Sequence, residues 1–457
     1  MKKHLISAAV CAALMTTAVS ASAASYIVLG NGANLDAAVR AAGGKVSNRL
    51  PAVNAVVAES SSKAFASKVG QAAGVQSVIP NLTIDWYGGT QRADETVKAD
   101  FSNPPTSGDD DTRFDLQWGH DAVNAVEAWN AGYRGAGARV AVLDGGFNPS
   151  HPDIAPNFDA SCSADFTGEG LEYGPNVDDP SGIFSHGMHV AGTIAAADNA
   201  FGTIGVAPEA SLCLVKVLFN YGSGSFEDVV EGIVWAADQG VDVINMSLGG
   251  SLYKAGVPGE YTAREAAELK NFVGRAVTYA HQKGVLVIVS AGNSAIDGDK
   301  DGALIHLPSD APHAVSISAT APIGWATDPA NTFLDNPASY TNFGRSVISM
   351  AAPGGDFAYP GNENCKIAGL VRPCWVFDLV FSTGGVVGPN NYFYWSAGTS
   401  MAAPHASGVA ALAVSRFGKL KPAQLRTILE RGADDLGQPG NDPFYGAGRV
   451  NAENSTK

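Results

Sequence analysis

At 457 residues the chain has room for two or three domains and at least one large core. Its 44 acidic side chains outnumber the 29 basic ones, giving a formal charge of −15, which argues against a nucleic-acid or anionic-membrane partner, since either would call for a basic face. Hydrophobic residues make up 46% and charged residues only 16%, so the composition is not that of a disordered chain.

Residues 1–23 read as a secretory signal: Lys2 and Lys3 form a basic start, Leu5 to Val19 an apolar centre, and Ala21-Ser22-Ala23 a small-residue cleavage site. The apolar run is too short to span a membrane comfortably, and no later stretch has the length or purity to do so. The expectation is an exported, soluble, monomeric protein, periplasmic or extracellular. Four cysteines remain once Cys11 leaves with the signal, an even number in an oxidising compartment. Four cysteines allow three pairings, which the sequence does not decide; Cys365 with Cys374, close together around a Gly/Pro-containing loop, is favoured, with Cys162 to Cys213 as the second pair.

Residues 25–80 read as a small α+β unit. The strands are Tyr26 to Leu29, Val53 to Ala58 and Val75 to Ile79; the helices are Leu35 to Ala42, closed by Gly43-Gly44, and Ser62 to Ala73. From Asp85 to Arg113 the chain turns polar, with Pro104-Pro105 and Asp109-Asp110-Asp111, and reads as an exposed, cleavable linker. From Phe114 onward strands and helices alternate. Arg139 to Leu143, Ser211 to Val217, Val241 to Met246, Val285 to Ser290 and Ala314 to Ser318 are near-continuous apolar strands. Ser225 caps one intervening helix, a second runs from Ala263 to Lys283, and a third from Ala402 to Phe417. The fold class is therefore α/β, a mostly parallel sheet covered by helices on both faces, preceded by the small α+β unit. Functional groups in such sheets gather beyond the carboxyl ends of the strands, where Asp144, Ser247 and Asn293 lie.

Each of those residues has an ordinary explanation when taken alone. A carboxylate at a strand end is common, Asn293 suits a turn, and Ser400 at a helix start is more often a cap than a nucleophile. His186 and His189 have the spacing of a metal pair on a helix, yet no neighbouring glutamate and third ligand complete a zinc signature. The order Asp144, His186, Asn293, Ser400 changes the weight, because Asp–His–Ser is one of the chain orders of the serine triad.

The segments VAVLDGGFNPSHPD, SHGMHVAGTIAA, INMSLGG, VIVSAGNS and GTSMAAPHASG follow one another in an order that resembles the subtilisin-like serine proteases, over roughly Phe114 to Asn451. Residues 25–80 resemble that family's inhibitory propeptide. The resemblance implies a signal over 1–23, a propeptide domain and linker over 24–113, and a catalytic domain over 114–457. It implies a secreted serine endopeptidase acting on polypeptides, made as a precursor that its own propeptide inhibits. Ser400 would be the nucleophile, His186 the general base and acid, Asp144 its orienting carboxylate, and Asn293 an oxyanion donor with the Ser400 N–H. Ser247, Leu248, Gly249 and Gly250 would pair with extended substrate backbone. The loop Ala197–Thr203 resembles the family's calcium loop. A structural calcium ion would take Asp153, Gln117, Asn199 and the carbonyls of Ala197, Phe201 and Thr203.

Two positions depart from the family pattern. Gly145 stands where a serine or threonine usually follows the aspartate, and Met188 replaces the usual threonine beside the histidine. They are the only support for the alternative, a catalytically silent relative that binds peptides. The stretch from Asn293 to Ser400 is longer than the family pattern, and its excess reads as surface loops.

Overall fold

The structure is a computed structural model that describes residues 23–31, 34–98 and 109–457. The signal call over residues 1–23 lies outside these, apart from Ala23. Among the described residues no helix is long and apolar enough to cross a membrane.

The N-terminal unit comprises β1 (Ala24–Gly30), α1 (Leu35–Ala41), β2 (Lys45–Leu50), β3 (Ala55–Ser60), α2 (Phe65–Gly70) and β4 (Val75–Pro80). The sheet order is β2–β3–β1–β4 and every pairing is antiparallel. Strand β2 escaped the sequence reading because its residues alternate between exposed and half-buried, with Leu50 alone fully inside. One face of the sheet, with Val28, Val56 and Ala58, packs on α1 and α2 in a core of its own. The other face, with Ile27, Leu29 and Val57, joins the core of the larger unit. Two-sided burial explains why β1 and β3 read as continuous apolar runs.

In the larger unit the elements that matter for the site come in order. They are β7 (Arg139–Asp144), α3 (His186–Ala195), β8 (Ser211–Lys216), β9 (Ser223–Ser225), α4 (Phe226–Asp238), β10 (Val243–Met246), β11 (Gly250–Tyr253), α5 (Ala263–Lys283), β12 (Leu286–Ser290), β13 (Leu304–Leu307), β14 (Ala314–Ala321), β15 (Met350–Pro353), β16 (Val380–Val387), β17 (Asn390–Ala397) and α6 (Thr399–Phe417). The parallel sheet runs β15–β14–β12–β10–β7–β8. Alternate residues divide between its faces. Val140, Val142, Leu212 and Ile288 meet α3 and α6, while Ala141, Leu143, Val215 and Val289 meet α4 and α5. The N-terminal sheet therefore docks on the α4/α5 face. Asn48 and Asn81 donate to Glu227, Asn48 also to Glu231, and Arg275 donates to the Val53 carbonyl. Both expected disulfides are formed, Cys162–Cys213 and Cys365–Cys374.

Two expectations require correction. The described parts of the 85–113 stretch are not an exposed linker. Strand β5 (Thr83–Asp85) pairs with β9, Trp86 is fully buried against Phe226, and β6 (Gln91–Lys98) pairs with β17. The excess before Ser400 is not only surface loop either. Strands β16 and β17 form a largely buried hairpin whose second strand runs straight into the start of α6. Polar residues outnumber apolar ones along β6, so pairing, which uses backbone rather than side chains, left no mark in its composition.

Candidate active site

Asp144 ends β7 and is fully buried. Its carboxylate faces His186 Nδ1 at 2.9 and 3.0 Å and accepts the Gly145 N–H at 2.7 Å. His186 is the first residue of α3. Ser185 caps that helix by accepting the Met188 N–H and donates its hydroxyl to the Gly146 carbonyl, so the imidazole enters from a fixed turn. His189 does not join it: its Nε2 lies 3.1 Å from the Val380 carbonyl and its ring packs on Tyr394. Burial pushes the His189 pKa down to about 3. The two histidines therefore do not form a metal pair.

Ser400 is the second residue of α6, where the first backbone N–H groups lack partners within the helix. Its Oγ donates to the Ser247 carbonyl at 3.1 Å, and Ser247 Oγ returns a bond to the Ser400 carbonyl at 2.7 Å. Asn293 Oδ1 accepts from both the N–H and the hydroxyl of Thr399 at 2.8 Å, which leaves its Nδ2 free for another partner. Asp144 with His186 forms one contacting group, and Ser247, Ser400, Thr399 and Asn293 form a second. Thr399 is a positioning residue the sequence reading missed; its hydroxyl also accepts the Gly292 N–H.

A sixth segment, which the sequence reading missed, packs against these residues. The Trp86 carbonyl accepts the Gly249 N–H at 2.7 Å, the Trp86 N–H bonds the Gly222 carbonyl, and Ile84 lies against Gly250. Leu248, beside Gly249 in sequence, is fully buried in the core. The Tyr87 ring stacks on His186 with centroids 4.1 Å apart, and its hydroxyl donates to Asp144 Oδ1 at 3.1 Å. Gly88 and Gly89 then turn the chain with φ of 52° and 79°, left-handed values that favour glycine. The turn delivers the Thr90 hydroxyl to 3.0 Å from Ser400 Oγ and 3.4 Å from Asn293 Nδ2. His186 Nε2 is buried with no hydrogen-bond partner among the described residues. The one sequence cue was Trp86-Tyr87 beside Gly88-Gly89, an apolar pair out of keeping with a polar linker.

Both departures acquire a reason. A Cβ on Gly145 would come within 2.4 Å of the Tyr87 hydroxyl oxygen, so glycine makes room for the group that bonds Asp144. Met188 is fully buried and its sulfur accepts the Asn148 N–H.

A model of the subtilase family matches residues 135–448, well over half of the chain. The chain belongs to the subtilase family. It is similar to subtilisin DY of Bacillus licheniformis, 32% identical over 338 residues covering 74% of this chain and 97% of that one. Subtilisin Savinase of Lederbergia lenta is 33% identical over 344 residues, 75% and 99% of the two chains. Among solved structures, fervidolysin from Fervidobacterium pennivorans, described as a keratinolytic enzyme related to subtilisin, aligns with TM-score 0.69 at 25% identity. The alignment covers 95% of this chain and 61% of that larger one. This subtilase is a serine endopeptidase with the family's α/β fold.

The loop Ala197–Thr203, expected to hold a cation, packs around Asp153. That side chain is fully buried; its Oδ2 accepts from the N–H and hydroxyl of Thr203, while Oδ1 has no partner among the described residues. Burial holds its pKa well above the carboxylate range. Asn199 donates to the Pro152 carbonyl. Gln117 is placed differently from its expected role: its amide bonds both the N–H and the carbonyl of Ile204, and Asp111 instead reaches the loop, accepting from the Phe201 N–H at 3.0 Å.

Proposed function

We propose that this subtilase is an exported endopeptidase made as an autoinhibited precursor, with Ser400 as nucleophile, His186 as general base and acid, and Asp144 as orienting carboxylate. The observation that carries this reading is the Thr90 hydroxyl, seated between Ser400 Oγ and Asn293 Nδ2 where a scissile carbonyl oxygen would sit. Once Tyr87 and Thr90 withdraw, Ser400 Oγ gives its proton to His186 Nε2 and attacks the carbonyl carbon. The negative oxygen that forms is met by Asn293 Nδ2 and the Ser400 N–H. The imidazolium, held by Asp144, protonates the departing amine; water then repeats the sequence on the acyl-enzyme and regenerates the free serine.

Inhibition rests on the same contacts. Strands β5 and β6 fill the cleft on both sides of the nucleophile as a substrate would, but the Gly88-Gly89 turn lifts their backbone away and offers Ser400 a hydroxyl it cannot cleave. A silent peptide-binding relative loses its main motive, since Gly145 accommodates Tyr87 and removes no reacting group. The proposal includes a structural calcium ion at Asp153 with Asn199 and the carbonyls of Ala197, Phe201 and Thr203. A buried carboxylate with an unpartnered oxygen fits a hard cation. Bound there, the ion would tie the loop to the segment after β7 and would take no part in the chemistry.

Terminal sequencing of active enzyme tests the precursor reading. Its N-terminus is expected between Asn81 and Phe114; an intact start at Ala24 in active protein would refute it.

A further inference from the structure

Substrate preference at the cleaved bond depends on what receives the side chain of the residue that supplies the attacked carbonyl. Two backbone segments flank that place, Ser247–Gly249, which bonds the cleft-filling strand, and Ala291–Asn293, which carries the oxyanion donor. Both present glycine, Gly249 and Gly292, so the walls between them form a slot without side chains of their own. The residue crossing this slot in the precursor is Gly88, whose Cβ direction leads to the Gly249 carbonyl at 3.2 Å.

His306 fills the gap between the two glycines. A Cβ on Gly249 would lie 2.8 Å from His306 Nε2, and one on Gly292 only 2.6 Å from the same atom. The ring is fixed. His306 pairs with Ser251 across β13 and β11, its Nδ1 lies 2.9 Å from Ser251 Oγ, and its N–H donates to Asp310 Oδ2 at 2.9 Å. Nε2 is inaccessible and has no hydrogen-bond partner among the described residues. On its other side His306 lines a solvent-open pocket of about 710 Å³ together with Ser251, Ala291 and Ile296 and with charged side chains such as Asp301, Asp310 and Arg345. The imidazole thus stands as a partition between the slot and space that would otherwise extend it.

Building on the endopeptidase reading above, we infer that His306 is a specificity-determining residue that closes this slot and restricts cleavage to bonds that follow glycine, alanine or serine. The precursor's own glycine at the crossing point, Gly88, agrees with a slot of that depth. Replacing the imidazole with hydrogen joins slot and pocket and admits leucine or phenylalanine. A methylene that fits or does not fit an enzyme pocket is worth about 10–200-fold, so the effect is large enough to read in a library.

The test uses processed enzyme and matched peptides differing only at that position, with alanine, leucine, phenylalanine or glutamate. Wild type is expected to cleave the alanine peptide at least ~10-fold faster in kcat/KM than the leucine peptide. In His306→Gly, or His306→Ala should glycine fail to fold in the strand, the leucine-to-alanine ratio rises by at least ~10-fold. His306→Gln, similar in bulk, keeps the small-residue preference. A wild-type preference for leucine or phenylalanine would overturn the inference, as would an unchanged ratio in the glycine variant. So would a preference for glutamate, which would make Nε2 a donor to substrate. Fluorophosphonate labelling of Ser400 in the same samples separates the two levels: labelled enzyme with the wrong preference refutes the role of His306 alone, and unlabelled protein refutes the serine mechanism and this inference with it.

Discussion

Tyr87 offers the sharpest handle on how the proposed precursor would be held silent. Burial, and then the charge of Asp144, push the Tyr87 pKa well above its usual value, so the phenol stays a hydrogen-bond donor across the working pH range. Its bond to Asp144 is to a fully buried carboxylate, the class worth about 1.5–3 kcal/mol. Tyr87→Phe keeps the stack on His186 and removes only that bond. The segment should therefore leave the cleft more often by about 10- to 100-fold, at 1.36 kcal/mol per decade. Tyr87→Ala also removes the ring contact, worth about 0.5–1.5 kcal/mol more, and should open further. The assay is the rate at which fluorophosphonate labels Ser400 in full-length precursor that is prevented from processing by working at short times and low concentration. Labelling reports the open population when reclosing is fast, and the expected order is Ala above Phe above wild type. Equal rates in all three proteins would refute the argument that this side chain holds the segment on the catalytic pair.

The remaining predictions address catalysis, the ion and the core. Asn293→Ala should lower kcat by about 10²–10³ with little change in KM, since its Nδ2 acts on charge that exists only in the transition state; an equal loss in binding of an uncleaved peptide would contradict this. Calcium at a hundred times its Kd should raise the unfolding free energy of processed enzyme by about 2.7 kcal/mol, and Asp153→Ala should abolish the effect; melting unaffected by chelator would refute the site. Burial holds His120 at about 3, His189 at about 3 and His405 at about 4, all below the ordinary histidine value. The unfolded chain then binds more protons, so stability contributed by these groups is present above about pH 6.5 and is lost as pH falls toward 4. Each adds a slope of about 1.4 kcal/mol per pH unit in that window, measurable by urea unfolding of Ser400→Ala; stability that held level from pH 6.5 to 4.5 would contradict it.

Much of the fold was legible because the large sheet is buried on both faces. Arg139–Asp144 and Leu286–Ser290 announce themselves as unbroken apolar runs between helices, and Ala263–Lys283 matched its predicted span because Thr262 and Gly284 cap it visibly. The candidates Asp144, His186, Asn293 and Ser400 could be picked out because each sits in a local motif. The cleft-filling segment was not, because it is held by pairings between residues more than a hundred positions apart, such as Ser223 with Asp85 and Ser396 with Arg92. Backbone pairing of that kind needs no particular side chain, so a polar strand and a polar linker look alike. Gly145 misled for a related reason: its role lies in the space it leaves for Tyr87, which sequence spacing cannot show. For Gln117 the bonds of its amide to the N–H and carbonyl of Ile204, 87 positions away, could not be read from spacing.

The central claim is that Ser400 attacks peptide bonds and is shielded until residues 83–98 leave it. Mass spectrometry of fluorophosphonate-treated protein, before and after processing, tests this directly. The account predicts an adduct on Ser400 of the processed enzyme that appears together with peptidase activity, and little or none on the intact precursor over the same time. Peptide hydrolysis that persists in Ser400→Ala, or an adduct formed equally fast on the precursor, would contradict it.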